Sequence, residues 1–439
     1  MKRCAVKVGI YTLGCKVNQY ESESIAECFA ARGCTVVPAS EICDVYVINT
    51  CTVTAESDRK ARQFIRRAHS KNKNACLLVT GCMAQTAADD IARIEGVDYI
   101  CGNTDKLSVV DKAFELIESG RKNLSPEICA SNIDNAPFEK MSITKFDRTR
   151  AYVKIEDGCE SRCTYCIIPA ARGKIRSKSP SDVLAEVEAL TRGGCREVVL
   201  TGIETASYGK DLGEIDLADL LCKVDKIEGI GRVRLGSLDP SLVSQKFVDK
   251  IAGLKHVSHH FHLSLQSGRS RILALMKRKY NADMALAAIE RLRAAMPDVQ
   301  LTTDVIVGFP GETEEDFAQT LEFAKKARFL QIHIFPYSKR KGTPAATMPA
   351  QIDKQTKHER LMRLSELEAD IRREILKKEI RERPVTSVLF ETYENGLMKG
   401  HTDSFIEVCV PSPTPLRSEI KGVRLTHTDG EVVFGELLS

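Results

Sequence analysis

Tyr152-Val153-Lys154-Ile155-Glu156-Asp157-Gly158-Cys159-Glu160-Ser161-Arg162-Cys163-Thr164-Tyr165-Cys166 is the stretch on which the reading of this chain turns. Its first residues alternate apolar and polar as a half-buried strand does. The strand runs into a loop with three cysteines spaced C-x3-C-x2-C. Thiolates that close in sequence can converge on one iron–sulfur cluster. Three ligands on a four-iron cube leave one iron without a protein ligand, and an open coordination position is where a metal site does chemistry. A structural zinc knuckle is the competing reading. A closed zinc site takes four ligands, usually in two paired groups; the next cysteine here is Cys195, deep in the following strand–helix unit, and no histidine lies near in sequence. The cluster is the better fit.

The chain of 439 residues is too long for one ordinary domain, so two or three are expected. Its hydrophobic fraction of 43% and charged fraction of 28% are those of a soluble globular protein. A net charge of +4 creates no global field for nucleic acid, so any such binding must come from local patches. Met1-Lys2-Arg3-Cys4 leads into a strand without an apolar signal region, and no apolar run has the length of a membrane span. An intracellular chain with 16 cysteines points to metal or redox chemistry over disulfides, and a cytoplasmic location is expected.

Residues 1–120 alternate apolar runs with amphipathic helices. Strands are expected at 8–13, 45–50, 76–80 and 97–100, each followed by a helix, which implies an open parallel sheet covered by helices. Three cysteines fall just past consecutive strands: Cys15, Cys51 and Cys82. The C-terminal ends of parallel strands share one edge, where ligands bind, so these distant residues converge. Each adjoins a helix start, which favours a thiolate or a cluster sulfide. A second three-cysteine iron–sulfur site is expected there. Free cysteine is also commonly buried without function, and Cys43 and Cys101 lie at comparable positions, so placement alone is not decisive. Residues 121–147 carry Pro, Ser and Asn and are expected to form a linker.

The strand–helix rhythm resumes over 148–350, with strands expected at 151–156, 196–201, 232–237, 259–265, 301–308 and 331–336. Ser179-Pro180 is a suitable start for the first helix. The three-cysteine loop follows the first strand, as residues that do chemistry do in a barrel. It resembles the signature of the radical S-adenosylmethionine (SAM) superfamily, which implies a partial (β/α)6 barrel. It further implies a [4Fe-4S] cluster on Cys159, Cys163 and Cys166 whose open iron is chelated by SAM, and reductive cleavage to a 5′-deoxyadenosyl radical. Candidate SAM contacts lie at later strand ends: Glu204 after the second strand, then Ser237, Gln266 and Gly308. Met276-Lys277-Arg278-Lys279-Tyr280 resembles a family motif near the ribose and carboxylate of SAM, which adds Arg278. The basic segment 336–344 can meet phosphates or stay solvated.

Residues 351–383 read as a charged helix stopped by Pro384. Beyond it, 384–439 carries short strands and turns at Asn395-Gly396 and Asp429-Gly430, as in a small antiparallel β-barrel. Gly400-His401-Thr402-Asp403-Ser404-Phe405 resembles the TRAM domain, an RNA-binding module, although small barrels also serve as structural caps. The helix with Arg59, Lys60, Arg62, Arg66 and Arg67 is either a phosphate-binding surface or a solvated face.

Residues 14–22 (Gly-Cys-Lys-Val-Asn-Gln-Tyr-Glu-Ser), 49–54 (Asn-Thr-Cys-Thr-Val-Thr) and 81–85 (Gly-Cys-Met-Ala-Gln) are similar to the three cysteine motifs of the methylthiotransferases. In that family they bind an auxiliary [4Fe-4S] cluster. The form after Cys15 resembles the branch acting on N6-threonylcarbamoyladenosine in tRNA. The resemblance therefore implies insertion of a methylthio group at C2 of adenosine 37 in a tRNA anticodon stem-loop. It also implies a reducing partner such as flavodoxin or ferredoxin, and neither DNA nor membrane as a partner. Two alternatives stay open. One is a sister specificity, for isopentenyladenosine in tRNA or a ribosomal-protein aspartate. The other is a non-catalytic RNA-binding protein stapled by metal.

Overall fold

The computed structural model describes residues 5–120, 125–146, 148–213 and 215–438. The lead-in at 1–4 and residues 121–124 and 147 of the expected linker lie outside the described residues.

The N-terminal sheet is wholly parallel and has six strands where four were expected. The two additions are its edges, Thr35–Pro38 and Glu127–Cys129. The second of these converts part of the expected linker into sheet. At the centre, Lys7–Thr12, Val45–Thr50 and Cys76–Gly81 lie side by side. Every residue of Val45–Thr50 is buried, as in a sheet covered on both faces. Pairing of Thr12 with Asn49 and of Thr50 with Gly81 brings the three strand ends level. Helices Lys16–Ala31, Ala55–Lys71 and Ser108–Ser119 cover the sheet. The helix expected after the third strand is instead two short ones, Cys82–Thr86 and Ala88–Ala92.

The central strands follow the expected positions. Ala151–Lys154, Glu197–Thr201 and Arg232–Leu235 form one parallel sheet, and Ser237–Leu238, His260–Gln266, Gln300–Val307 and Gln331–Pro336 form the next. In His260–Gln266 the apolar residues Phe261, Leu263 and Leu265 are buried against the outer helices. The alternate residues, His260, His262, Ser264 and Gln266, share the opposite face, the lumen of the barrel. Those helices begin with side-chain caps: Ser179 accepts from the Asp182 N–H, and Thr313 and Asp316 form a reciprocal capping box. One apolar core runs from Val8, Tyr20 and Phe29 of the first sheet through Val153 and Leu200 to Leu292 and Leu364. Each such fully buried side chain contributes about 1.5–3 kcal/mol relative to exposure, so the two units pack as one body.

Helix Lys354–Glu382 packs across the last barrel strand and leads to a closed five-strand barrel. The last strand, Val433–Leu437, pairs with Glu407–Pro411 in parallel, so the small barrel is not the purely antiparallel one expected. Among the described residues no helix is long and apolar enough to cross a membrane.

Candidate metal centres

Cys15 caps the helix Lys16–Ala31, Cys51 follows Val45–Thr50, and Cys82 opens Cys82–Thr86. The strand order places the three at one edge of three adjacent strands. Gly14 has φ +106°, and a β-carbon there would lie 2.9 Å from the Cys51 sulfur, so the approach of the first loop to the second cysteine requires glycine. Every described cysteine is a free thiol. Burial raises the Cys15 thiol, and burial with the charges of Cys82 and Cys15 pushes Cys51 up to about 11. Thiols held protonated this way release their protons when a metal binds. Asn18 fixes the edge: its amide donates to the carbonyls of Leu13 (2.7 Å) and Thr50 (2.9 Å).

The C-x3-C-x2-C loop is held as firmly. Gly158, at φ +93°, passes so close to Lys174 that a β-carbon would lie 1.9 Å from its carbonyl oxygen. The Cys159 N–H donates to the Gly173 carbonyl at 3.0 Å, and the Thr164 N–H to that of Met276 at 3.1 Å. The Cys159 thiol donates to Glu204 at 3.1 Å, and the Ser161 hydroxyl to the other oxygen of the same carboxylate at 3.2 Å. Burial and the Glu204 charge raise the Cys159 thiol, and burial pushes Cys166 up to about 11. Arg278 donates to the Cys163 sulfur at 3.2 Å and pairs with Asp239 at 2.8 Å. Glu204, in the loop after Glu197–Thr201, and Arg278, in the loop after the short helix Ser270–Leu275, therefore both stand beside the cysteine loop. Ser237 is exposed at a strand start level with His262, and Gln266 closes the neighbouring strand. The Gly308 N–H is taken by Glu312 at 2.7 Å, so a ligand there would meet its bare backbone without that donor.

Sequence reasoning missed the group that joins the two centres. Arg172, in the short helix Ile168–Arg172 just past the loop, is fully buried and donates to the Cys82 sulfur at 3.2 Å. It also donates to Glu21 at 2.6 Å and to Asp157 at 3.1 Å. Lys154 pairs with the same two carboxylates at 2.8 and 2.6 Å, and Lys106 pairs with Glu21. Arg172, Lys106 and Lys154 hold the Glu21 carboxyl well below the usual range against its burial. Buried cations beside thiols favour the thiolate form that a cluster needs. Free thiols at one edge, helix starts, buried cations and glycine-dependent loops together fit two cluster sites. The basic surface fits less simply. Arg340 of the 336–344 segment pairs with Asp58 at 2.7 Å, and Arg59 pairs with Glu56, so both cations already have partners.

Two family models match the chain: the radical SAM superfamily over residues 153–324 and "Uncharacterized protein family UPF0004" over residues 7–102. The chain is 39% identical over 424 residues to "Threonylcarbamoyladenosine tRNA methylthiotransferase MtaB" of Bacillus subtilis, covering 95% of this chain and 93% of that protein. It is 34% identical to "tRNA-2-methylthio-N(6)-dimethylallyladenosine synthase" of Thermoanaerobacter pseudethanolicus, covering 98% and 92% of the two chains. Among solved structures it is similar to the radical SAM methyltransferase TsrM of Kitasatospora setae, with TM-score 0.57 and 16% identity over 78% of this chain and 77% of that one, a likeness of fold.

Proposed function

Because the chain belongs to the radical SAM methylthiotransferases, we propose that it inserts a methylthio group at C2 of N6-threonylcarbamoyladenosine at position 37 of tRNA. The observation that carries this reading is the pair of three-cysteine sites held together by Arg172. Cys159, Cys163 and Cys166 would hold the cluster that binds SAM, and Cys15, Cys51 and Cys82 the auxiliary one. When bound, the clusters and SAM supply the electron, the radical, the sulfur and the methyl group, because an aromatic C2–H is too weakly acidic for an ordinary base.

The chain's own residues position and tune. Glu204 presents a carboxylate beside Cys159, suited to the SAM amine. Arg278 and Arg172 each donate to a ligand sulfur, and hydrogen bonds to cluster sulfurs set the reduction potential. The adenine must leave its stack to lie between the two sites, which an anticodon loop allows most easily. Such a reaction belongs in the cytoplasm with a low-potential donor of the flavodoxin or ferredoxin class, and the small C-terminal barrel is a second surface for RNA.

Cys163→Ala is expected to abolish SAM cleavage, whereas Cys51→Ala is expected to spare it and stop methylthiolation. Wild-type protein purified without oxygen is expected to carry about two four-iron cubes per chain. A Cys51→Ala variant that still modifies tRNA overturns the auxiliary assignment. Mass spectrometry of tRNA nucleosides from a deletion strain tests the substrate: loss of the dimethylallyl product instead of the threonylcarbamoyl one selects the sister specificity. A protein that holds RNA but never cleaves SAM is a metal-stapled binding module.

A further inference from the structure

The lumen of the central barrel carries a polar cluster that neither metal centre uses. His262 is paired with Asp304 at 3.2 Å through one ring nitrogen and hydrogen-bonded to the Thr302 hydroxyl at 3.0 Å through the other. The His333 ring stands 5.6 Å from that of His262, and donor atoms of His262, Asp304 and His333 all lie within 4.8 Å of one another. From the facing domain comes Lys16, the residue after Cys15. It is exposed to the chamber, and the charges around its ammonium are lumen residues, namely Arg234, Arg150, Glu197 and Asp304. It makes no ion pair or hydrogen bond among the described residues. His333, also exposed, makes no hydrogen bond among them either.

We propose that Lys16, His262 and His333 form the pocket for the carboxylate of the N6 substituent, and so set the choice between a charged and an apolar modified adenosine. The proposal rests on the function inferred above. C2 and C6 of adenine flank N1 on one edge of the ring, so a group on N6 lies beside the reacting atom. A lysine one residue from Cys15 therefore stands where that group must be. Glu197 and Asp304 act on this ammonium without pairing with it directly, and a substrate carboxylate supplies the direct partner. A dimethylallyl group would cover that cation without pairing with it, the kind of mismatch that a polar site rejects strongly. Asp304 orients His262 and is placed to accept the threonyl hydroxyl. The same three side chains resemble a divalent-metal site, but the Lys16 ammonium beside them repels a cation and favours an anion.

The test measures binding of synthetic anticodon stem-loops to reconstituted enzyme. The loops carry the threonylcarbamoyl group as free acid, as its neutral methyl ester, or an unmodified adenosine at the same position. Wild type is expected to bind the acid about tenfold to a hundredfold more tightly than the ester. Lys16→Met is expected to bring that ratio close to one, Lys16→Arg to restore most of it, and His333→Ala to lower it in part, with iron content at the wild-type level in each. An unchanged acid-to-ester ratio in both Lys16→Met and His333→Ala overturns the pocket. If wild type modifies the threonylcarbamoyl loop while the variants keep its preference, only the pocket falls. If wild type ignores that loop and modifies the dimethylallyl one, the proposed function falls with it.

Discussion

The guanidinium of Arg172 touches both halves of the site at once, with the Cys82 sulfur and Glu21 of the upstream unit on one side and Asp157, beside the C-x3-C-x2-C loop, on the other. Asp157 lies two residues before Cys159, so a shift of this side chain is felt at both cysteine clusters. Its surroundings raise its pKa, through Asp157, Cys82 and Glu21, despite full burial. Removing one partner from a buried charge network leaves the others uncompensated, at about 3–5 kcal/mol. Arg172→Met is therefore expected to lower the unfolding free energy by about that amount and to deplete iron first from the upstream site. Arg172→Lys keeps the charge but loses the planar fork that reaches a sulfur and two carboxylates together. It is expected to fall between the two. Denaturant titration and iron analysis check both. Equal stability in Arg172→Met and wild type would mean that the network contributes nothing net.

At the scale of elements, the upstream centre depends on three strand ends staying level, and Asn18 is the tie. Its amide bridges the loops after the first and second central strands, and its carbonyl oxygen accepts from Arg172. Asn18→Ala removes the donor to the Leu13 and Thr50 carbonyls and one of the acceptors of the Arg172 guanidinium, which keeps Glu21 and Asp157, an expected loss of about 2–4 kcal/mol. Cys51 and Cys15 would no longer be held in register. Thermal unfolding and the iron content of the Cys163→Ala background, which isolates the upstream site, measure this. The convergence of those strand ends was legible because apolar runs name the central strands and a parallel sheet puts their C-terminal ends on one edge. The two sheet edges were not legible: Thr35–Pro38 and Glu127–Cys129 are largely exposed, so no apolar pattern marks them. The alternation in His260–Gln266 announced a strand without saying that its polar face lines a lumen. Arg172 carried no signal at all, because its partners lie 15 to 154 residues away in sequence.

At the scale of the whole molecule, the small C-terminal barrel closes the lumen from the end opposite the cysteine loops. Phe405, held at φ 70° where bulky residues rarely go, stacks on His260 and His401 at 4.6 Å, with Arg234 at 4.9 Å from its ring. Arg232 donates to the backbone carbonyls of His401 and Ser387 at 2.9 Å, and Arg234 to that of Asp403 at 3.1 Å. One carboxylate underlies this seam. Glu197 holds Arg150 at 2.8 Å, Arg234 at 3.1 Å and Arg232 at 3.8 Å, and despite burial these cations lower it to about 2. A carboxyl lowered on folding stabilises fully above its ordinary value, and that contribution disappears as pH falls toward the folded value. The expected window is from 4.5 down to about 2, and the contribution at neutral pH is on the order of 3 kcal/mol. Glu197→Gln removes the titrating group and leaves three guanidiniums facing an amide. The variant is expected to be less stable than wild type at about pH 7, with the difference shrinking steadily below about pH 4.5 as wild-type Glu197 takes up its proton. Calorimetric melting of both proteins across that range reads the difference directly, and proteolysis near Pro384 reports whether the small barrel separates first. A difference that stays constant with pH would mean that the seam is held by Phe405 packing and the backbone hydrogen bonds, with the charge on Glu197 contributing little.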